Sequence, residues 1–418
     1  MRMSKKKEIV PKLRFPEFIG DKLKITKLGK ISSVVKEKAG ENKYTLMSVT
    51  SGVGLIPQAE KFGREIAGDS YKNYFVIRKY DFAYNKSATK QFPEGYISML
   101  GEYDIAAVPN SIFTCFRITD NESYPPFFDY LWHNNYHGHW LRKYIEVGAR
   151  AHGALSVDTK HLWSMPLALP DFKEQQKIAD CLSSIDDLID AESRKVKVLE
   201  KYKKGLMQKL FPAEGKTLPE WRFPEFQGCG EWKSKSIGKA CKMFSGGTPD
   251  TSKKEFYGGT IPFIRSAEIN KSSTELFITE EGFKNSSAKM VKKGDILIAL
   301  YGANSGEVAL SKIDGAINQA ILCLRHETNN VFVYHYFTHM KNWIISKYIQ
   351  GGQGNLSGQI IKSVNLYFPK AEEQQKIADF LSEIDTMITG QSNKVEQLKA
   401  HKKGLMQGLF PSFEEADV

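Results

Sequence analysis

The chain has 418 residues, 26% of them charged and 41% hydrophobic, with a net charge of +11. That balance suits a globular protein with more than one core and excludes collagen-like or disordered composition. No run approaches 18 consecutive apolar residues, which excludes a membrane-spanning helix. The five cysteines include no CxxC pair, which argues against a disulfide framework or a cysteine-based zinc site and fits a reducing cytosol.

In chain order, a basic start (residues 1–7) leads into Pro11 and Arg14 without an apolar run, so it does not read as a secretory signal. The sequence RFPEF follows at 14–18. A long segment then carries a strand-like run at 111–118 and an aromatic-rich stretch at 130–144 with helical spacing. Residues 174–212 read as one long helix. Ile178, Leu182, Ile185, Ile189, Val196 and Leu199 fall close to a heptad seam, Glu192 occupies a skipped seam position, and Pro212 ends the run. RFPEF recurs at 222–226 and opens a second long segment with strand-like runs at 296–300 and 320–324, helical spacing at 331–348 and several Gly-rich loops.

Residues 373–411 repeat 174–212 without a gap, at an offset of 199 and with 25 of 39 positions identical. Their seam is Ile377, Leu381, Ile384, Ile388, Val395 and Leu398, with Gln391 in the polar position. A helix of this length spans roughly 55 Å at ~1.5 Å per residue. Neither apolar stripe can be buried alone, so the two helices are expected to cover each other and run antiparallel; the other solution packs each on its own domain. Repeated ends around unlike middles suggest two modules that share a job but recognise different things. The first middle (14–173) carries +4 and the second (222–372) +6, a bias that suits phosphate contacts.

Catalytic constellations are not evident. Residues 63–70 have the glycines of a phosphate loop but Asp69 where lysine is needed. Tyr124-Pro125-Pro126-Phe127 looks like an amino-methyltransferase motif but lacks its Asn or Asp acceptor. Neither Pro170-Asp171 nor Pro249-Asp250 is followed by a nearby D/E-x-K triplet for Mg²⁺. No Gly-x-Ser-x-Gly elbow occurs. His133, His137 and His139 are close in sequence but have no adjacent glutamate base, and packing is the better reading.

The RFPEF openings, the duplicated EQQKIAD…KKGLMQxLFP helices, the two divergent segments and their order closely resemble the specificity subunit of type I restriction-modification systems. The second segment adds Ser245-Gly246-Gly247-Thr248-Pro249, a GTIPFI run at 259–264 and the Lys293-Gly294-Asp295-Ile296 core, which are similar to that family's target recognition domains. The first segment departs from it, with Tyr80-Asp81-Phe82 in place of Gly-Asp-Ile.

The resemblance implies an α+β architecture of two mixed recognition domains (1–173 and 213–372) separated by two long antiparallel helices (174–212 and 373–411), with a tail at 412–418. It implies a non-catalytic, cytoplasmic bacterial subunit that reads a split site on double-stranded DNA. Two methyltransferase subunits would supply S-adenosylmethionine chemistry. In complexes that cut DNA, two motor-nuclease subunits would use ATP and Mg. The helix pair would set the spacer and dock the methyltransferases. An adaptor whose globular ends bind proteins instead of DNA is the alternative.

Candidate DNA contacts are polar groups in loops or at strand ends. In the first segment they are Tyr84, Asn85, Lys86, Ser87, Lys90, Arg150 and His152. In the second they are Thr248, Arg265, Tyr301, Asn304, Asn318, Gln319, Gln353 and Asn355. Arg150 and Arg265 lead because arginine makes the commonest specific contact, with guanine. On the helices, Gln175, Gln176, Gln374 and Gln375 are the partner-facing candidates, with Lys203, Lys204, Lys402 and Lys403 either beside them or simply solvated.

Overall fold

A computed structural model describes residues 10–145, 158–302, 304–348 and 356–411. The fold divides into two compact units, Met1–Ala191 with Lys394–Val418 (unit 1) and Glu192–Asn393 (unit 2). The division falls inside both long helices, the central helix Phe172–Leu210 and the C-terminal helix Ala371–Leu409. Among the described residues no helix is long and apolar enough to cross a membrane.

Both helices begin and end two residues before the expected 174–212 and 373–411. At the central helix, the Asp171 carboxylate accepts from the Glu174 amide at 2.7 Å, so the cap lies one residue before Phe172. At the other end, Phe211 precedes Pro212 and is pushed out of helical geometry.

In unit 1, strands Ser32–Val34, Phe113–Ile118, Phe82–Asn85 and Tyr96–Met99 form an antiparallel sheet in that spatial order. Strands Lys24–Lys27 and Pro166–Leu169 pair separately. The sheet packs on a core of Phe82, Phe116, Phe128 and Trp132, joined by Leu182 of the central helix and by Leu409 and Phe410. The expected helix over 130–144 is broken into Pro125–His133 and Tyr136–Leu141. Asn135 sits between them at φ 58. Its amide lies so close to Gly138 that an added Cβ there would stand 2.2 Å from the Asn135 oxygen.

Unit 2 repeats the plan: Cys241–Ser245, Ile321–His326, Ile296–Ala299 and Val308–Leu310 form one antiparallel sheet, and Lys233–Ser236 pairs with Asn365–Phe368. A second sheet orders Phe277–Ile278, Tyr257–Ile264, Gly315–Ile317 and Lys289–Val291. The helix Asn330–Tyr348 buries Phe332, Tyr336 and Phe337 with Phe211, Ile377, Leu381 and Ile384.

The repeated sequence motifs build one clasp in each unit. Arg14 of the first RFPEF grips Glu174 through Nε (2.8 Å) and Nη2 (2.7 Å). Arg222 of the second grips Glu373 through Nε (2.7 Å) and Nη2 (2.6 Å). Gln175 Nε2 then donates to the Pro170 carbonyl and Gln374 Nε2 to that of Pro369, each at 2.9 Å. The recurrence of EQQ with RFPEF is therefore the recurrence of a buried joint between helix and module.

Within each unit the two helices pair antiparallel. In unit 1 Asp186 meets Lys402 at 2.6 Å, while Leu182, nearer the start of its helix, packs with Leu405 and Leu409, nearer the end of theirs. In unit 2 Lys203 meets Asp385 at 2.5 Å, and Gln391 donates to the buried Glu192 carboxylate. The seam residues are buried or half-buried throughout, and its two polar positions pair with each other.

The units differ where a side chain meets the aspartate of each ion pair. In unit 1 the Tyr130 hydroxyl donates to Asp186 at 2.9 Å. In unit 2 His335 is 1% exposed, its Nε2 stands 3.8 Å from Asp385, and neither ring nitrogen has a hydrogen bond among the described residues. Burial, with a smaller push from Lys203, lowers its pKa to about 3. The unfolded chain therefore binds this proton below about pH 6.5 while the folded unit does not. Stability falls as pH drops from about 6.5 toward about 3. His335→Tyr, which supplies the hydroxyl used in unit 1, is expected to remove this residue's share of that loss, leaving the shares of His326 and His339, whose pKa values burial also lowers. Thermal midpoints between about pH 7 and pH 4 check this, and an unchanged pH slope would count against it.

Candidate nucleic-acid interface

In unit 2 the candidate residues gather at the ends of two parallel strands. Phe263 pairs with Ala316 and Ile264 with Ile317, so Arg265 and Asn318 are the next residues on neighbouring chains. The loop that follows the strand Cys241–Ser245 is set by glycine. A Cβ on Gly246 would stand 1.7 Å from the Ile317 carbonyl oxygen, and one on Gly247 1.9 Å from Ser287 Oγ. Only glycine lets the chain leave Ser245 this close to the neighbouring backbone.

That approach sets Thr248 beside Gln319. Thr248 Oγ1 donates to Gln319 Oε1 at 2.7 Å, and the Tyr301 hydroxyl donates to the Gln319 carbonyl at 2.5 Å. Thr248 and Gln319 are exposed, and Tyr301 and Asn318 are half-buried. Asn318 Oδ1 accepts from the Ala320 amide at 3.1 Å. Asn304 is half-buried, and its carbonyl accepts from the Glu307 amide at 2.9 Å. The structure thus brings Thr248, Tyr301, Asn318 and Gln319 together, with Arg265 at the adjoining strand end.

Arg265 is not a free side chain. Its Nε donates to Glu268 at 3.0 Å, and its Nη2 reaches Glu268 at 3.1 Å and Glu275 at 2.8 Å. Glu268 is 3% exposed. The Arg265 guanidinium holds its carboxyl down to about 2, against the opposing effect of burial. Sequence reasoning missed both carboxylates. Glu268 lies three residues from Arg265 and could have been suspected, whereas Glu275 has no local signal.

In unit 1, burial corrects two expected contacts. Tyr84 is 1% exposed and its hydroxyl donates to the Glu94 carbonyl at 2.8 Å. Asn85 is also buried, and its side-chain oxygen accepts from the Ser87 amide at 2.9 Å. Both belong to the strand Phe82–Asn85, whose residues are all buried. Lys86, Ser87 and Lys90 follow it in the connection to Tyr96–Met99, with Lys90 exposed and the other two half-buried. Arg150 and His152 of this unit, and Gln353 and Asn355 of unit 2, lie outside the described residues.

The departure at Tyr80-Asp81-Phe82 is one of residue type and not of structure. Tyr80 adopts φ 73, the left-handed conformation that Gly294 takes at φ 88. Asp81 accepts from the Arg78 amide at 2.7 Å and from Arg117 at 2.6 and 2.7 Å. Asp295 accepts from the Lys292 amide at 2.7 Å and from Arg325 Nη2 at 2.6 Å. The same aspartate–arginine brace fixes the strand that leads to each candidate loop. Of the three clustered histidines, His137 is fully buried against Tyr84 and Trp132, with burial lowering its pKa to about 4, His133 is half-buried and stacked on Tyr96, and His139 is exposed.

Two of the four helix glutamines, Gln175 and Gln374, are buried where a partner-facing position was expected. Gln175 is 1% exposed and makes three hydrogen bonds, from the Tyr124 amide and to the Glu122 and Pro170 carbonyls. Gln374 is 4% exposed and engaged with Pro369. Neither can present itself to a partner while the clasp is closed. Gln176 is half-buried; Gln375 is exposed but bonded to Asp379 and Asn329. Lys203 and Lys402 are held in the ion pairs between the helices.

Comparison with known proteins agrees with this architecture. Residues 230–400 match the family model described as the type I restriction modification DNA specificity domain. The putative type I restriction enzyme MjaX specificity subunit of Methanocaldococcus jannaschii is 29% identical over 275 residues, 63% of either chain. The EcoR124I/EcoR124II specificity subunit of Escherichia coli is 30% identical over 169 residues, 38% of this chain and 42% of that one. The chain therefore spans less than two thirds of the length of either relative. A crystal structure of the S subunit from M. genitalium superimposes with a TM-score of 0.60 at 14% identity, covering 97% of this chain and all of that one, and shares its fold. The chain is thus similar, over part of its length, to type I restriction enzyme specificity subunits, and residues 230–400 carry the match to the DNA specificity domain.

Proposed function

We propose that this chain is the DNA-specificity subunit of a type I restriction-modification complex, with each unit reading one half of a split site. The observation that carries the reading is the convergence of Thr248, Tyr301, Asn318 and Gln319 at neighbouring strand ends, behind glycines that admit no side chain. Amide and hydroxyl groups so placed suit hydrogen bonding to base edges. The positive excess of both variable segments supplies attraction to the phosphates.

In this reading residues 1–173 and 213–372 are the target recognition domains, 174–212 and 373–411 the spacer helices, and 412–418 a tail. The chain carries no catalysis of its own. It acts in the cytoplasm with two methyltransferase subunits, which bring S-adenosylmethionine, and in complexes that cut DNA with two motor-nuclease subunits that use ATP and Mg. The helices set the number of unread base pairs and offer their solvent-facing sides to the methyltransferases. Two readers joined in one chain bind as one, because the second contact is intramolecular.

The test is an exchange of residues 20–165 for the matching segment of another family member. Sequencing of methylated sites in a host strain is expected to show one half-site changed and the other retained. A change in both halves, or in neither, would overturn the modular reading.

A further inference from the structure

At the edge of the unit 2 cluster one arginine is held between two unlike carboxylates. We propose that Arg265 reads a guanine, that Glu268 is its positioning residue, and that Glu275 stands in for the base edge in the free protein. This rests on the DNA-specificity reading and assigns residues within it.

Glu268 is built as a fixed support. It is 3% exposed, and its carboxylate also accepts from the Arg265 amide (3.3 Å) and the Glu275 amide (3.1 Å), with Thr274 Oγ1 3.1 Å away. Thr274 is itself anchored to the Phe263 carbonyl at 2.8 Å. The Nε–Nη2 edge of Arg265 is thereby locked to the fold, and the entropy of ordering a long side chain is met before any ligand arrives. On its other side Nη2 also donates to Glu275 Oε2 at 2.8 Å.

Glu275 is a different kind of partner. Its side chain is 76% exposed, and an exposed ion pair contributes little. A carboxylate presents two acceptor oxygens to an arginine fork, as guanine presents O6 and N7. A base edge can therefore take its place at small cost. A phosphate is a poor occupant, because one guanidinium and two carboxylates leave this cluster a net negative charge. The strand register sets Arg265 next to Asn318, on the side where Gln319 and Thr248 meet.

The test uses the full chain assembled with its methyltransferase subunits and a randomised duplex library, with bound sequences read after selection. Arg265→Ala is expected to erase a guanine preference of about ten-fold or more at one position, leaving the other positions intact. Glu268→Gln is expected to weaken that same position only, and Glu275→Gln to raise affinity several-fold with the motif unchanged. Glu268→Gln lowering every position of the half-site alike would show a merely structural role and overturn the proposal. So would Arg265→Ala weakening binding equally on all sequences. A wild-type complex that enriches no motif would instead remove the DNA-specificity reading, and this assignment with it.

Discussion

Glu373→Ala is expected to destabilise unit 2 by about 3–5 kcal/mol. The glutamate is 1% exposed and takes both Nε and Nη2 of Arg222, whose side chain is only 10% exposed. Removing it leaves a buried guanidinium with no counter-charge among the described residues, where its remaining bond runs to the Gly230 carbonyl at 2.8 Å. Hydrogen exchange measured over unit 2 should show the loss locally. Glu174→Ala should do the same in unit 1, where Arg14 is equally enclosed. Replacing both members of the unit 2 pair with apolar residues of similar size should recover most of the stability. A loss below about 1 kcal/mol for Glu373→Ala would mean that water reaches the pair and that the clasp is not the joint described.

Gly246→Ala is expected to abolish reading by unit 2 while unit 1 still reads its half-site. The added Cβ would stand 1.7 Å from the Ile317 carbonyl oxygen, and that oxygen belongs to the backbone, so no side chain can swing aside. The loop must lift by more than an ångström, which separates Thr248 from Gln319. Overpacking of this kind costs about 1–3 kcal/mol, occasionally more. Gly228→Ala, where a Cβ meets nothing within 4 Å, is the matched control. Methylation at half-modified sites and the thermal midpoint check both variants. Retention of the full two-part specificity by Gly246→Ala would show that the loop plays no part in reading.

The helices are legible in the sequence because their periodicity is long and written twice, and the same seam residues are buried in the fold. Their ends are less so, since Asp171 caps the central helix from outside the repeated block. The stretch over 130–144 has helical spacing throughout, but spacing cannot show that Asn135 turns left-handed. Tyr84 and Asn85 look like strand-end contacts because Lys86 and Ser87 follow them, yet the strand is buried on both faces and carries no alternation to reveal it. Gln175 and Gln374 mislead for a related cause: a repeat preserves residues that hold the fold as firmly as those that meet partners. Arg265 stands out by its chemistry, but its carboxylates come together only through folding, one of them from ten residues away.

The pairing of Glu192 with Gln391 bears on how the duplication has diverged. These are the same position in the two copies of the repeat, 199 residues apart, and they meet each other. A protein assembled from two copies of the first repeat would press one carboxylate against another in a buried seam, and one of them would have to take up a proton. Two copies of the second repeat would set amide against amide without conflict. The mixed pair therefore favours the joining of unlike halves over the self-pairing of the first, a preference written into a single layer of the helix seam.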